Sequence, residues 1–267
     1  MPDILDNILA VKRREVAHLA PRLADLRFAA RDAPPPRGFA RALRRKKGPG
    51  PFVTIPVRVI AEVKHRSPSA GVIIDPFVPA DIARRYADAG ADAISCLTDR
   101  EFFGGSIEHL RQVRAAVGLP VLRKDFIIAA EQVYEARGAG ADAILLIAEA
   151  LEQAEMTDLA GLAGSFGMDV LAEAHSEPAV EKAIACGAAC VGINNRDLAT
   201  FRVDLATTER LAPAVLAAGR VLVAESGIKT GADVKRLLAA GADAILVGEG
   251  LLKSGDIAAK LAEFRNA

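Results

Sequence analysis

Tryptophan is absent from this 267-residue sequence, and the aromatic residues together make up only 4% of it. The chain therefore contributes no indole fluorescence of its own. Cysteine is also scarce, with three residues at Cys96, Cys186 and Cys190. A small, odd number in a long chain argues against a disulfide framework and favours a reducing compartment.

An excess of charge of either sign is missing as well, because 34 basic residues balance 34 acidic ones. Zero net charge gives no electrostatic signature of nucleic-acid binding. No apolar run approaches the ~20 residues of a membrane span, and the N-terminus lacks the apolar core of a secretory signal. We therefore expect a cytoplasmic protein with neither a nucleic-acid nor a membrane partner, and we favour a monomer.

Apolar residues recur at helical spacing between Ile4 and Leu19, and this pattern predicts an amphipathic helix that docks on the rest of the protein. On this pattern Lys12 to Glu15 occupy the opposite, polar side of the helix. A proline run at 34–36 ends the pattern, and a short helix is predicted at 39–46. Residues 1–50 are thus expected to form a helical extension, and 51–267 the main domain.

The main domain alternates short β-branched runs with longer helical segments, and this alternation predicts a closed parallel (β/α)8 barrel of the α/β class. Phrases of the type AGADAI recur about every fifty residues, before each even-numbered strand, as in a duplicated barrel. An open doubly wound sheet would need a glycine-rich first turn, which is not evident. The predicted strands are 57–63, 93–97, 120–124, 143–147, 169–173, 190–194, 221–224 and 244–247, and the predicted helices are 79–89, 107–117, 130–138, 151–166, 178–186, 205–217, 232–240 and 257–264.

The first strand carries two opposite charges, Glu62 and Lys64, in an otherwise apolar run. Side chains alternate along a strand, so both point to the same face, where burial is costly unless the charges are paired or used. A loop of Ser, Pro and Gly follows, as expected at the mouth of an active site. A purely structural ion pair remains the alternative.

Polar residues also end the third, fifth, sixth and seventh strands. Active sites of such barrels lie at the C-terminal ends of the strands, so this distribution favours an active site over an inert scaffold. The residues are Arg123, Lys124 and Asp125, Glu173 and His175, Asn194 to Asp197, and Glu225 to Gly227.

Glycines follow the last two strands, where backbone N–H groups can approach an anion closely. The loops after the seventh and eighth strands are the usual phosphate cradle of this fold, which points to Gly227 and Gly248. Gly248 and Gly250 do not form a dinucleotide motif, because the third glycine is missing.

Three questions stay open at the level of single residues. Lys124 could form an imine, but two carboxylates and a second lysine favour acid–base work. His175 could join Glu173 at a metal, although no further ligand cluster completes such a site. Phe103 either packs against the N-terminal helix or forms one wall of a pocket for an aromatic ligand.

The segments AEVKHRSPSAG, CLTDREFFGGS, PVLRKDFI, VLAEAHSE, VGINNRDL, AESGI and VGEGLL, in this order, closely resemble the indole-3-glycerol phosphate synthase family of tryptophan biosynthesis. The resemblance covers nearly the whole chain. It implies conversion of 1-(2-carboxyphenylamino)-1-deoxyribulose 5-phosphate to indole-3-glycerol phosphate with loss of CO2 and water. It also implies that neither a cofactor nor a metal is needed.

The resemblance further implies roles for individual residues. Lys124 corresponds to the general acid and Glu173 to the general base, while Glu62 assists proton transfer and Lys64 binds acidic groups of the substrate. The other implied residues are Asn194, Arg196, Glu225 and Ser226 orienting the substrate, Phe103 and Phe126 around its ring, and Ser67, Ser226, Gly227, Gly248 and Glu249 near its phosphate.

One departure from the family pattern affects the phosphate site. Glu249 stands where serine is frequent, and we predict that its side chain turns away from phosphate. The rival functions are another phosphate-binding barrel enzyme, such as phosphoribosylanthranilate isomerase, and a non-catalytic phosphoester-binding barrel. The isomerase would not explain the N-terminal extension or the pair of Glu62 and Lys64, and a non-catalytic barrel predicts loss of Lys124 or Glu173, both of which are present.

Overall fold

The computed structural model describes residues 4–45, 56–68, 70–197 and 202–267. Eight parallel strands in these residues close into a barrel in which consecutive strands are neighbours and the last pairs with the first. The predicted (β/α)8 architecture is therefore confirmed. The strands are β1 Arg58–Val63, β2 Ala93–Leu97, β3 Val121–Lys124, β4 Ala143–Ile147, β5 Asp169–Ala174, β6 Cys190–Asn194, β7 Val221–Glu225 and β8 Ala244–Val247.

Helices surround the barrel and precede it. The barrel strands and helices end within two residues of their predicted bounds, whereas the predicted boundary at 50/51 lies outside the described residues. A helix at Leu23–Asp32 and a small hairpin of Arg66–Ser67 with Gly71–Val72 after β1 were not predicted from the sequence. The helices are α1 Ile4–Leu19, α2 Leu23–Asp32, α3 Phe39–Leu43, α4 Pro79–Asp88, α5 Ile107–Ala116, α6 Ala130–Gly138, α7 Gln153–Ser165, α8 Glu177–Ala185, α9 Ala206–Ala217, α10 Gly231–Ala239, α11 Glu249–Leu252 and α12 Ile257–Arg265.

The barrel interior changes from apolar to polar along each strand. Because side chains alternate, the residue two positions before a polar strand end points inward as well. Leu122, Leu171 and Val223 occupy these positions and belong to one buried cluster inside the barrel. The next inward positions, at the C-terminal ends of the strands, are Lys124, Glu173 and Glu225.

The N-terminal end of the barrel is closed by α3. Phe39 and Leu43 are fully buried and join the interior cluster. Asp169 at the start of β5 accepts a hydrogen bond from the backbone N–H of Ala40 at 2.9 Å, which fixes the helix below the strands. The segment before the barrel thus supplies its apolar floor.

Lys12 was expected on the polar side of α1, and this was wrong. The residue is fully buried, with Nζ 2.7 Å from Asp99 Oδ2 and 2.9 Å from Asp125 Oδ1. It follows Ile8 by four residues and Leu9 by three, so it lies on the buried side of the helix. The two carboxylates offset the cost of burying its charge.

None of the helices in the described parts of the chain combines the length and the apolar character needed to span a membrane.

We expect Phe39→Ala to lower the free energy of unfolding by about 3–5 kcal/mol, because it empties the floor of the barrel. Phe28→Ala is the matched control, since the Phe28 side chain is 74% exposed and its loss should change little. Urea denaturation of both variants measures the difference. Equal stabilities would contradict the assignment of α3 as the floor.

Candidate active site

A cavity of about 980 Å³ opens at the C-terminal ends of the strands. Every residue to which the family resemblance assigns a role lines this cavity, whereas Arg123, His175, Asn195 and Asp197 at the strand ends are not part of its lining. The lining residues with an assigned role are Glu62, Lys64, Ser67, Phe103, Lys124, Phe126, Glu173, Asn194, Arg196, Glu225, Ser226, Gly227, Gly248 and Glu249. Their separate roles stay predictions at this point, but the fold brings them together.

A buried ion pair lies at the centre of the cavity. Lys124 Nζ is 2.7 Å from Glu173 Oε2 and 3.5 Å from Glu225 Oε2. Asn194 Nδ2 donates to Glu173 Oε1 at 2.9 Å, so both oxygens of this carboxylate are held. Glu173 is therefore fixed in orientation and faces the ammonium directly.

The pKa values of Lys124, Glu173 and Glu225 shift for different reasons. Burial alone lowers the pKa of Lys124, but the charges of Glu173, Glu225 and Glu62 outweigh it and raise that pKa above its usual range. Burial alone raises the pKa of Glu173, but the charge of the Lys124 ammonium outweighs burial and lowers that pKa. Burial and the Glu173 charge together raise the pKa of Glu225 to about 8. At neutral pH Lys124 is thus an ammonium, Glu173 a carboxylate and Glu225 a neutral carboxyl group.

A charged lysine bears on the choice between imine formation and acid–base work. An imine-forming lysine must attack as the free amine, and its pKa is lowered for that purpose. The pKa of Lys124 moves in the opposite direction. The site therefore favours electrostatic stabilisation and proton transfer over a Schiff base.

Two glycines, one in β6 and one directly after β8, make room for carboxylates on neighbouring strands. A Cβ on Gly248 would lie 2.7 Å from Glu62 Oε1, and a Cβ on Gly192 in β6 would collide with Glu225 Oε1. Gly192 was not recognised as part of the site in the sequence. Its only signal was a glycine inside a strand, which commonly marks a close approach of another group.

Glu62 and Lys64 form the expected ion pair, with Lys64 Nζ 2.7 Å from Glu62 Oε1. Both side chains line the cavity, so the pair is structural and at the same time accessible to a ligand. Tyr86 donates its hydroxyl to the backbone carbonyl of Glu62 at 3.1 Å and fixes this strand end from outside the barrel.

An apolar wall faces these charges. The rings of Phe103 and Phe126 are 6.2 Å apart, and both line the cavity. Ile4, Leu5 and Ile8 of α1 line it too, so the N-terminal helix is part of the site. Phe103 is therefore a wall of the cavity, as one of its two interpretations requires, and the N-terminal helix lines the same cavity.

The turn after β7 has an unusual backbone. Ser226 and Gly227 have φ values of 64° and 81°, and Ser226 is the one non-glycine residue with positive φ in the described chain. Asn195 stabilises the turn by donating to the carbonyls of Glu225 at 2.9 Å and Ser226 at 3.2 Å. The role of Asn195 was missed, because its partners lie thirty residues further along the chain.

Two acidic side chains at the rim are already paired. Glu249 Oε1 is 2.7 Å from Lys253 Nζ, and this pairing lowers the pKa of Glu249, with smaller contributions from Lys64 and Arg196. Cations therefore converge on this end of the cavity. His175 Nδ1 lies 2.8 Å from Glu149 Oε1, so the histidine pairs with Glu149.

Known proteins resemble the chain over nearly its full length. The family model described as indole-3-glycerol phosphate synthase matches residues 5–264. A protein of that name from Polaromonas sp. is 50% identical over 265 residues and covers 98% of both chains. One from Chloroherpeton thalassium is 49% identical over 257 residues, covering 96% of both.

Solved structures extend the similarity of fold. A thiamine phosphate pyrophosphorylase from Pyrococcus furiosus superposes with a TM-score of 0.60 at 19% identity, covering 79% of this chain and 94% of its own. A mandelate oxidase gives 0.61 at 18% identity, covering 91% and 92%. At such low identity these matches concern the barrel alone.

Ionisation of Glu225 should weaken Lys124 as an acid, because a second carboxylate then holds the ammonium more tightly. We expect kcat of the parent protein to fall as pH rises through about 8, the pKa of Glu225, and we expect Glu225→Gln to lack this decline. The measurement is kcat as a function of pH for the parent protein and for Glu225→Gln. The same alkaline decline in Glu225→Gln would contradict it.

The pH dependence of the free energy of unfolding is a second measurement of the Glu225 pKa. The folded state retains the Glu225 proton up to about pH 8, whereas the ordinary value is 4.5, so this group makes the protein less stable as pH rises through that window. Glu225→Gln should remove that part of the pH dependence.

Proposed function

Because the chain belongs to the indole-3-glycerol phosphate synthase family, we propose that this cavity closes the indole ring. The activity is that of a carbon–carbon lyase, which converts the carboxyphenylamino-deoxyribulose phosphate to indole-3-glycerol phosphate, CO2 and water. The observation that carries the assignment of roles is the Lys124 ammonium, held between Glu173 and Glu225 in a cavity with an aromatic wall.

Lys124 is the general acid of ring closure. The aromatic carbon that bears the carboxylate bonds to the ketone carbon, and negative charge develops on the ketone oxygen. A buried ammonium stabilises that charge strongly and can transfer its proton to the oxygen. The bond to CO2 then breaks, and its electron pair restores the aromatic ring.

Glu173 is the base of the dehydration that follows. The hydroxyl group formed in ring closure leaves as water after protonation, while the neighbouring ring CH2, the former first carbon of the sugar, loses a proton to give the indole double bond. Glu173 is suited to accept this proton, since it is ionised and oriented by Asn194. Glu225 and Glu62 lie next to it in the cluster and can carry protons between the steps.

The substrate's two acidic groups require cations. Lys64 and Arg196 line the cavity, and both contribute to the electrostatics at Glu249. We assign them to the acidic groups of the substrate. Phe103 and Phe126 are assigned to its aromatic ring, because an apolar wall of two rings, tilted by 33° to each other, offers aromatic contacts to a planar ligand.

The phosphate is assigned to the ends of β7 and β8, with Ser67 from the loop after β1. The strained turn at Ser226 and Gly227 lines the cavity, as do Gly248 and Glu249 after the neighbouring strand β8. Glu249 contributes through its backbone N–H, because its carboxylate is engaged by Lys253. This agrees with the expectation that its side chain turns away from the anion.

The assay mixes the purified protein with the carboxyphenylamino-deoxyribulose phosphate and follows indole fluorescence, which the tryptophan-free chain does not obscure. We expect turnover without added metal or cofactor. Glu173→Gln should abolish it, whereas Glu181→Gln on the exposed side of α8 should leave it unchanged. Tight binding without turnover by the parent chain would favour the non-catalytic interpretation.

Lys124→Met separates the chemical from the binding role of this residue. We expect kcat to fall by about 10²-fold or more with a much smaller change in binding, because the ammonium acts mainly in the transition state. Lys235→Met, on an exposed position of α10, is the control. A collapse of substrate binding in Lys124→Met would make Lys124 chiefly an anchor.

A further inference from the structure

The buried ammonium of Lys12 connects the N-terminal helix to two loops of the barrel. Besides Asp99 and Asp125, its Nζ lies 2.8 Å from Glu15 Oε2. Burial alone lowers the pKa of Lys12, but Asp125 and Asp99 outweigh it and raise the pKa. The residue is therefore a fixed positive charge, placed outside the catalytic cluster.

Asp99 positions the loop after β2. Its Oδ1 accepts hydrogen bonds from the backbone N–H groups of Phe102 at 2.8 Å and Phe103 at 3.0 Å, while Oδ2 faces Lys12. Among the ion pairs of the residues that the structure describes, Asp99 pairs with Lys12 alone. The charge of Lys12 thus holds the carboxylate that orients Phe103.

Asp125 does the same for the loop after β3. Its Oδ1 accepts the backbone N–H of Phe126 at 2.9 Å as well as facing Lys12, and its Oδ2 accepts from Thr98 and from Arg123. Burial would raise the pKa of Asp125, but Arg123 and Lys12 outweigh it and lower that pKa to about 2. Asp125 is therefore ionised throughout the working range of pH.

One lysine thus links two carboxylates, and each carboxylate fixes the backbone of one of the two rings that line the cavity. The same helix lines the cavity through Ile4, Leu5 and Ile8. We propose that Lys12 is a positioning residue for the reaction, holding Phe103 and Phe126 at the separation that accepts the substrate's aromatic ring. This inference rests on the proposed function of the cavity.

Contact with a bound aromatic ring is made equally in the ground and transition states, so its loss should raise KM more than it lowers kcat. We expect Lys12→Met, which keeps the length of the side chain, to raise KM roughly tenfold while kcat falls less than about threefold. Lys182→Met is the matched control. Lys182 holds the loop after β4 through the carbonyls of Ala148 and Leu151, and the lining of the cavity does not include it.

A second readout needs no activity. Fluorine NMR of protein labelled with 4-fluorophenylalanine should show the Phe103 and Phe126 signals, assigned with Phe103→Leu and Phe126→Leu, shifted or broadened in Lys12→Met and unchanged in Lys182→Met. Inactivity of the parent chain would overturn the proposed function of the cavity, and with it the role of Lys12 in the reaction. The NMR comparison would still decide whether Lys12 positions the two rings.

Lower thermal stability of Lys12→Met with unchanged KM and unchanged fluorine signals would overturn the proposal and leave Lys12 a purely structural residue. If Lys12→Met does not fold, Asp99→Asn decides the question. It keeps the Oδ1 acceptor for both backbone N–H groups and weakens only the ion pair, so smaller changes in the same direction are expected. Parent-like KM and spectra in Asp99→Asn would likewise overturn the proposal.

Discussion

The chemistry of this protein depends on how a closed barrel fills its interior. Side chains from alternate strands share one layer, and the uppermost inward positions of β1, β3, β5 and β7 are Glu62, Lys124, Glu173 and Glu225. Three buried acidic groups and one ammonium are therefore confined in one layer. Carboxylates so close together cannot all stay ionised. The raised pKa of Glu225, which therefore keeps its proton at neutral pH, is the consequence.

Two glycines make this crowded layer possible. Gly192 in β6 leaves space for Glu225, and Gly248, the residue after β8, leaves space for Glu62. A methyl group at either position would displace a carboxylate from the cluster. These two glycines thus solve the packing of the charged residues to which the proposed function assigns the chemistry.

The alternation of side chains between the two faces of a strand explains which parts of the site could be predicted. The inward direction of Lys124 follows from Leu122 two residues earlier, a relation that the sequence displays directly. Lys12 and Asn195 could not be placed in this way, because their partners lie far along the chain, and only the folded barrel brings Asp99 and Asp125 beneath α1. Helix α2 escaped prediction because its packing against α6, where Gly138 allows close approach to Ala29, is equally non-local.

The proposed function makes Lys124 an acid, although its raised pKa makes it a weak one. The charges of its neighbours in the layer reduce this difficulty. With Glu225 neutral, the ammonium is balanced by Glu173 alone, and Glu62 is balanced by Lys64. A developing alkoxide then competes with one carboxylate instead of two for the Lys124 proton. Once that proton has moved, the neutral carboxyl group of Glu225 lies within reach to return one, since its Oε2 is 3.5 Å from Nζ. In the proposed mechanism the protonated Glu225 thus serves as a proton reserve for Lys124 beside it.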